Sequence, residues 1–303
     1  MKPPTHRTEQ TVSNIAIIYN PNSTGDSADL AKSTAKELTE ALPGLKIELI
    51  PTKRRAHAET LAYDIAKANQ RPLIISSSGD GGYHEVVNGA LKAQNDGCRP
   101  VTSVLPAGNA NDHHRNLHRL DIAEAVQQNV ISTIDVIRLD STIDGQPFTR
   151  YAHSYIGFGL TPQAGAELNK TKLSFAREAL IVLKSFLQLR PVTLTVDGKT
   201  KKYDSFIISN IDSMSKIMQI SEHSSVSDGR FEVTMFTRRH RLRLLGLLLR
   251  TSVLGIKQDY RTERLKLRTA SATLVQLDGE IFKLDADSDV IISAVHRGLD
   301  CIV

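Results

Sequence analysis

The stretch Leu73-Ile-Ile-Ser-Ser-Ser-Gly-Asp-Gly-Gly-Tyr-His-Glu-Val-Val-Asn-Gly-Ala-Leu91 decides how this chain is read. Its apolar opening, Leu73 to Ile75, has the length and branching of a buried strand, and Tyr83, Val86, Val87, Ala90 and Leu91 follow at helical spacing. Between them lies Ser78-Gly-Asp-Gly-Gly82. Strand, glycine turn and helix start together aim backbone N–H groups and the positive end of a helix dipole at an anion. Glycines let the main chain approach phosphate oxygens closely, and Asp80 places a carboxylate where a magnesium-bound phosphate needs one. The same residues also suit a plain tight turn between strand and helix. No GxxxxGK[ST] occurs, which excludes a P-loop, and the spacing does not fit a dinucleotide-binding GxGxxG unit.

Outward from this centre, strands and helices alternate. Residues 15–19 read as a buried strand that enters the turn Asn20-Pro-Asn-Ser-Thr-Gly25, and residues 30–42 as a helix. A strand over 45–50, a loop from Thr52, a helix over 58–68 and the 73–77 strand come next. Residues 101–105 repeat the scheme before Pro106-Ala-Gly-Asn-Ala-Asn-Asp112 and a short helix. Such alternation predicts a doubly wound, mostly parallel sheet with helices on both faces. Ligands collect at the carboxyl ends of strands in these sheets, which is where all four unusual turns fall.

After about Asp135 the texture changes. Residues 192–196 alternate, Asp197-Gly198 is a hairpin turn, and 203–209 is the returning strand. Further strands are expected at 230–236, 264–268, 272–277, 290–294 and 299–303, with helices at 175–189 and 240–255. The second half therefore reads as an antiparallel, β-sandwich-like domain. The expected division is a disordered tail over 1–13, an α/β domain over 14–137 and a β-rich domain over 138–303, whose C-terminal end can return to the first.

Composition narrows the class. The 303 residues are 40% hydrophobic and 23% charged, as in a water-soluble globular chain. No apolar run reaches the roughly 18 residues of a membrane span, and residues 1–13 lack a signal-peptide core, so a cytoplasmic location is expected. Two cysteines, Cys98 and Cys301, exclude a disulfide framework. The net charge of +5 lies in the second half, where 22 basic residues face 16 acidic ones, against 16 and 17 before residue 151. An anionic partner is thus expected at the later domain.

Taken in order, these pieces resemble the diacylglycerol kinase and sphingosine kinase catalytic superfamily, most closely its soluble bacterial lipid kinases. Ser78-Gly-Asp-Gly-Gly82 with Glu85-Val-Val-Asn-Gly89 is similar to GGDGT followed by NEVVNG. Asn20-Pro-Asn-Ser-Thr-Gly25 resembles the NPxSG turn, and Leu105-Pro-Ala-Gly-Asn-Ala-Asn-Asp112 with Arg115 resembles PxGTxNDxAR. Thr52 with Ala58, Asp135-Val136, Gly157-Phe-Gly159, Asn210, Ser227-Asp-Gly229 and Asp278-Gly-Glu280 follow in the family's order.

The resemblance implies an N-terminal domain that binds ATP with magnesium, a β-domain that holds a lipid, and catalysis between them. It implies nucleotide contacts at Asn20, Ser23, Thr52, Ser78, Gly79, Asp80, Gly81, Gly82, Glu85 and Asn109. Asp80, Asp112 and Asp135 would surround the catalytic magnesium, and Asp228 would bind a structural one. Glu280 matches the general base, with Asp80 and Asp135 as its catalytic companions. On residue type alone, Asp278-Gly279 is an ordinary hairpin turn, Asp112 an N-cap and Asp228-Gly229 a turn pair. The chain departs from the family where Ser78 replaces its first glycine, Gly82 its final threonine, Asn109 the threonine of GTxND, and His113 and His114 the usual apolar pair after Asp112. The family's triple-glycine segment after Asn210 is absent, Met214-Ser-Lys216 lying there.

Arg238-Arg-His-Arg-Leu-Arg-Leu-Leu-Gly-Leu-Leu-Leu-Arg250 suits either a membrane-surface helix or a helix packed on the sheet with a solvated basic end. Nucleic acid is not an expected partner, because the basic stretches lack interleaved aromatics. The expected function is an ATP- and magnesium-dependent lipid kinase, peripheral and transient at the membrane, acting on a diacylglycerol-like hydroxyl. A non-catalytic nucleotide- or lipid-binding module and an NAD kinase are the competing readings. Oligomeric state stays open, a homodimer included.

Overall fold

A computed structural model describes residues 5–7, 11–23, 26–117, 120–163, 190–214, 218–219, 225–237 and 258–303. The chain forms two compact units, residues 1–135 with 296–303, and residues 136–295. The unit boundary falls inside two strands, Val130–Ile143 and Asp289–Cys301. The helices expected at 175–189 and 240–255 lie outside the described residues, as does the Arg238–Arg250 segment.

In the first unit, β1 (Thr5–Arg7) and β2 (Ile15–Tyr19) precede α1 (Ser27–Ala41), β3 (Ile47–Pro51) and α2 (His57–Ala68). Then come β4 (Leu73–Ser78), α3 (Asp80–Asn95), β5 (Val101–Pro106), the short α4 (Asp112–Asn116) and α5 (Ile122–Gln127). β6 (Val130–Ile143) begins here. The sheet runs β3-β2-β4-β5 with every pair parallel, in registers such as Ile17 with Leu49, Ile17 with Ile75, and Ile75 with Ser103. Its inner strands β2, β4 and β5 are buried on both faces, as a sheet covered on both sides requires, while the edge strand β3 is partly exposed. Ile15, Ile17, Leu73 and Ile75 pack with Ala31, Leu38 and Ala125 of α1 and α5. The alternate residues Ala16, Ile18 and Ile74 are equally buried. Each of these isoleucine and leucine side chains contributes about 1.5–3 kcal/mol on burial. α2 and α3 lie side by side, their approach set by Ala58, Ala62 and Gly89, where an added Cβ would overlap the carbonyl oxygen of Glu59.

The end of the chain returns to this unit. Ile302 N donates to Thr102 O at 2.9 Å, Ser103 Oγ to Ile302 O at 2.7 Å, and Leu120 N to Val303 O at 2.8 Å. Ile302 and Val303 are buried. Part of the segment read as a disordered tail is ordered: Thr5–Arg7 pairs antiparallel with Val130–Ser132, and Val12 enters the core. A free β6 edge supplies the missing hydrogen-bond partners.

The second unit takes up β6 and adds β7 (Gln146–Ala152), β8 (Tyr155–Gly159), β9 (Val192–Val196) and β10 (Lys199–Ser209). β11 (Ser213–Met214) and β12 (Met218–Gln219) make a separate two-stranded pair. β13 (Phe231–Thr237), β14 (Tyr260–Thr262), β15 (Arg264–Thr269), β16 (Thr273–Leu277), β17 (Glu280–Leu284) and β18 (Asp289–Cys301) complete it. All strand pairs within it are antiparallel, in the order β17-β16-β8-β10-β9-β15-β18, with β13 also on β10. The core gathers Phe158, Phe206, Phe231, Leu194, Leu267, Val275 and Ile292.

Three two-residue turns close hairpins with both residues at positive φ: Asp144-Gly145, Asp197-Gly198 and Asp278-Gly279. That conformation is the type I′ geometry which Asp-Gly favours. β18 is one continuous strand of 13 residues where two, 290–294 and 299–303, were expected. The polar break His296-Arg297-Gly298 does not end it, because Asp135 takes the Arg297 amide at 2.6 Å. No helix among the described residues is long and apolar enough to cross a membrane.

Candidate functional site

Parallel strands bring the carboxyl ends of β2, β3, β4 and β5 to one edge of the first unit. Asn20 and Ser23, Thr52, Ser78 to Gly82, and Asn109 to Asp112 follow those four strand ends. Neighbouring turns are bonded to one another. Thr52 N donates to Tyr19 O at 2.8 Å, Asn20 N to Ser27 Oγ at 3.2 Å, and Ala107 N to Ser78 O at 3.2 Å. Asn20 is itself a turn former, its Oδ1 accepting the Asn22 amide and its carbonyl the Ser23 amide. Asn20 and Asn109 are exposed, whereas Ser78 to Gly82 are half-buried.

The two glycine turns meet backbone to backbone. A Cβ on Gly79 would stand 3.0 Å from Gly108 Cα, and one on Gly108 would overlap Gly79 Cα. Only glycine fits this approach. Asn111, in the left-handed conformation at φ 51°, closes the second turn by exchanging two 2.9 Å hydrogen bonds with Gly108.

Asp80 starts α3 and locks the pair. Its Oδ2 accepts the Asp112 amide and its Oδ1 the His113 amide, both at 3.0 Å, so this acid caps α4. The first intrahelical bond of α3 is Tyr83 N to Gly79 O at 3.1 Å, which leaves the Gly81 and Gly82 amides in the first turn, where the helix supplies no acceptor. Below the turn, Tyr83 packs its ring 4.9 Å from that of buried His113 and bonds Thr102 Oγ1 through its hydroxyl at 3.0 Å. His113 thus fills the aromatic-sized space of an apolar residue.

Two departures from the family motif prove to be one exchange. A Cβ on Gly82 would lie 2.5 Å from Ser78 Oγ and 2.6 Å from Ser78 Cβ. The Ser78 side chain therefore occupies the volume that a side chain at 82 would claim, and it brings a hydroxyl with it. That hydroxyl lies 2.7 Å from Ser76 Oγ and donates to Gly79 O at 3.0 Å.

Glu85, expected at the nucleotide, reaches to the N-terminus of α2, where Oε1 accepts the Ala56 amide at 2.9 Å and Oε2 the Ala58 amide at 3.1 Å. It ties the segment after Thr52 to α3. Asp112 and Asp135 are buried, and Asp135 Oδ1 meets both the Arg297 amide and, at 3.0 Å, His296 Nδ1. The sequence reading had no place for His296, since 161 residues separate it from Asp135. Among the described residues no group of three or more His, Cys, Asp or Glu could hold a metal ion directly.

In the second unit, Glu280 opens β17, half-buried, across the turn from Leu277. The residue beside it is the surprise. Asp278 is fully buried and accepts the amides of His153, Ser154 and Tyr155 at 2.8, 2.9 and 2.9 Å, with His153 Nε2 3.5 Å away. What reads as an ordinary turn residue is thus a buried anchor at the turn that leads into Glu280. Asp228 pairs with Arg261 through Oδ2 and accepts the Arg230 amide through Oδ1 at 3.1 Å.

Residues 14–140 match the model of the diacylglycerol kinase catalytic domain. A diacylglycerol kinase of Staphylococcus haemolyticus is 27% identical over 227 residues, covering 71% of this chain and 64% of that protein. One from Staphylococcus aureus strain JH9 is 27% identical over 231 residues, covering 71% of this chain and 68% of that one. The chain thus spans about two thirds of the length of these relatives. A crystal structure of a diacylglycerol kinase from Bacillus anthracis strain Sterne shares the fold, with a TM-score of 0.68 at 19% identity over 97% of this chain and 98% of that one. Residues 14–140 are thus similar to a diacylglycerol kinase catalytic domain.

Proposed function

We propose that this protein is a lipid kinase that transfers the γ-phosphate of ATP, with magnesium, to the hydroxyl of a diacylglycerol-like lipid. The observation that carries the proposal is the abutment of Gly79 and Gly108 at the start of α3, with Asp80 bonded across it. Bare backbone at a helix N-terminus suits a polyphosphate, and phosphoryl transfer depends chiefly on positioning and charge neutralisation. The relatives named diacylglycerol kinase support the acceptor class.

In this reading Ser78 to Gly82 cradle the phosphates, Asn20, Ser23, Thr52 and Asn109 line the nucleotide, and Glu85 holds the Thr52 segment in place. Asp80, Asp112 and Asp135 are the acids proposed to hold magnesium, which when bound neutralises phosphate charge. They do not gather as a direct three-ligand set, and both Asp80 oxygens accept amides. They therefore suit an ion held through water and phosphate oxygens, which magnesium prefers. Glu280 accepts the proton of the attacking lipid hydroxyl, with Asp278 fixing its position. The acceptor is met at a membrane surface, from the cytoplasmic side and transiently.

Transfer of label from radiolabelled ATP to diacylglycerol vesicles tests the proposal, with Asp80→Ala and Glu280→Ala beside the wild type. Label transfer by the wild type that both substitutions abolish is the expected result. Transfer surviving both would remove the site, and transfer to NAD in place of lipid would move the protein to a different kinase class.

A further inference from the structure

The sequence resemblance assigns Asp228 a structural magnesium, and the surroundings of Asp228 do not fit one. Its Oδ2 is paired with Arg261 Nη2, and its Oδ1 accepts the Arg230 amide at 3.1 Å. Arg261 Nε meets a second acid, Glu232 Oε1, at 3.1 Å. Glu232 has a fully buried side chain, while those of Asp228 and Arg261 are about one third exposed. The arrangement follows from strand register: Glu232 on β13 stands directly opposite Arg261 on β14. Arg230 is turned to Glu263 at 3.5 Å.

We infer that Arg261 takes the place of a metal ion here, a built-in cation that holds the Asp228 turn to the β13–β14 pair. The charge requirement is the same in either case. A buried carboxylate and a turn carboxylate a few residues apart cannot remain close without a positive group between them. A guanidinium answers this well, because its planar set of N–H donors reaches two acids at once and its charge does not depend on pH. A divalent ion at Asp228 would have to shed water and approach a guanidinium already seated on the same carboxylate, and like-charge repulsion opposes that. The turn is thus secured without a metal, independently of any ion that accompanies the nucleotide.

The test reads metal and stability with no nucleotide present, so it stands apart from the kinase proposal. The wild-type chain should melt at the same temperature in EDTA and in millimolar magnesium. Elemental analysis after dialysis should find no stoichiometric divalent metal. Arg261→Gln should melt lower in EDTA, by roughly 5 °C or more, and should gain a saturable magnesium-dependent rise. Adding Asp228→Asn to that variant should abolish the rise. A metal retained by the wild type and lost in Asp228→Asn would overturn the inference, as would an Arg261→Gln chain indifferent to magnesium. Should Arg261→Gln fail to fold, Asp228→Asn alone decides: equal losses in EDTA and magnesium support the inference, and a larger loss in magnesium overturns it.

Discussion

Asp80 accepts the backbone amide of Asp112 at 3.0 Å, so an acid that reads as a metal ligand also binds the two glycine turns together. Charge-assisted hydrogen bonds of this kind contribute about 1.5–3 kcal/mol each. Asp80→Ala, which removes the acceptor for Asp112 and His113 together, should destabilise the first unit by about 3–6 kcal/mol in urea unfolding. Asp80→Asn keeps one acceptor oxygen and should lose less. ATP affinity, measured by calorimetry, should fall in both.

Ser78 and Gly82 share one space, which makes their substitutions interdependent. Gly82→Thr alone puts its Cβ 2.5 Å from Ser78 Oγ and should cost about 1–3 kcal/mol by overpacking. Ser78→Gly with Gly82→Thr, the family arrangement, should recover all but about 1 kcal/mol of that loss. A double-mutant cycle on thermal stability measures the coupling. Additive effects would mean that the two side chains do not compete.

Asp278 receives three consecutive amides from the start of β8 and the turn before it. Asp278→Ala leaves buried donors without that acceptor, and should destabilise the second unit by about 3–5 kcal/mol in denaturant titration. In folded material, turnover should fall while ATP affinity holds, because the change acts through Glu280.

Asp285 braces the Asp144-Gly145 turn. The Gly145 amide foremost, then the Thr142 hydroxyl and the Asp144 amide, hold its carboxyl below the ordinary carboxylate range, against a smaller opposing effect of burial. A depressed pKa contributes stability that is present above the unfolded value, about 3.9, and is lost as pH falls through the folded value. Melting temperatures of wild type and Asp285→Asn should therefore differ at neutral pH and converge in acid below that window. A constant gap down to low pH would assign the difference to packing.

What could be read from residues alone follows a physical division. Short-range signals spoke plainly: apolar strands ending in glycine turns gave the parallel sheet, and Asp-Gly at 197 and 278 gave two hairpins. Asp144-Gly145 carries the same two-residue turn signal and closes the β6–β7 hairpin. Long-range hydrogen bonds were silent. Asp80 reaches amides 32 and 33 residues away, Glu85 reaches 27 and 29, and Asp278 reaches up to 125. A sequence displays each acid and hides the amides it caps, so Glu85 read as a ligand group and Asp278 as a mere turn. β18 read as two strands for the same reason, since the contact of Arg297 with Asp135 spans 162 residues.

The proton-accepting role proposed for Glu280 is the point on which the lipid kinase account rests. Glu280→Gln preserves size and hydrogen bonding while removing the base, so turnover of ATP with diacylglycerol vesicles should drop by about 10²- to 10⁴-fold. ATP affinity should stay within about twofold of wild type, since the change leaves the glycine turns untouched. A Glu280→Gln enzyme that turns over at the wild-type rate would contradict the account.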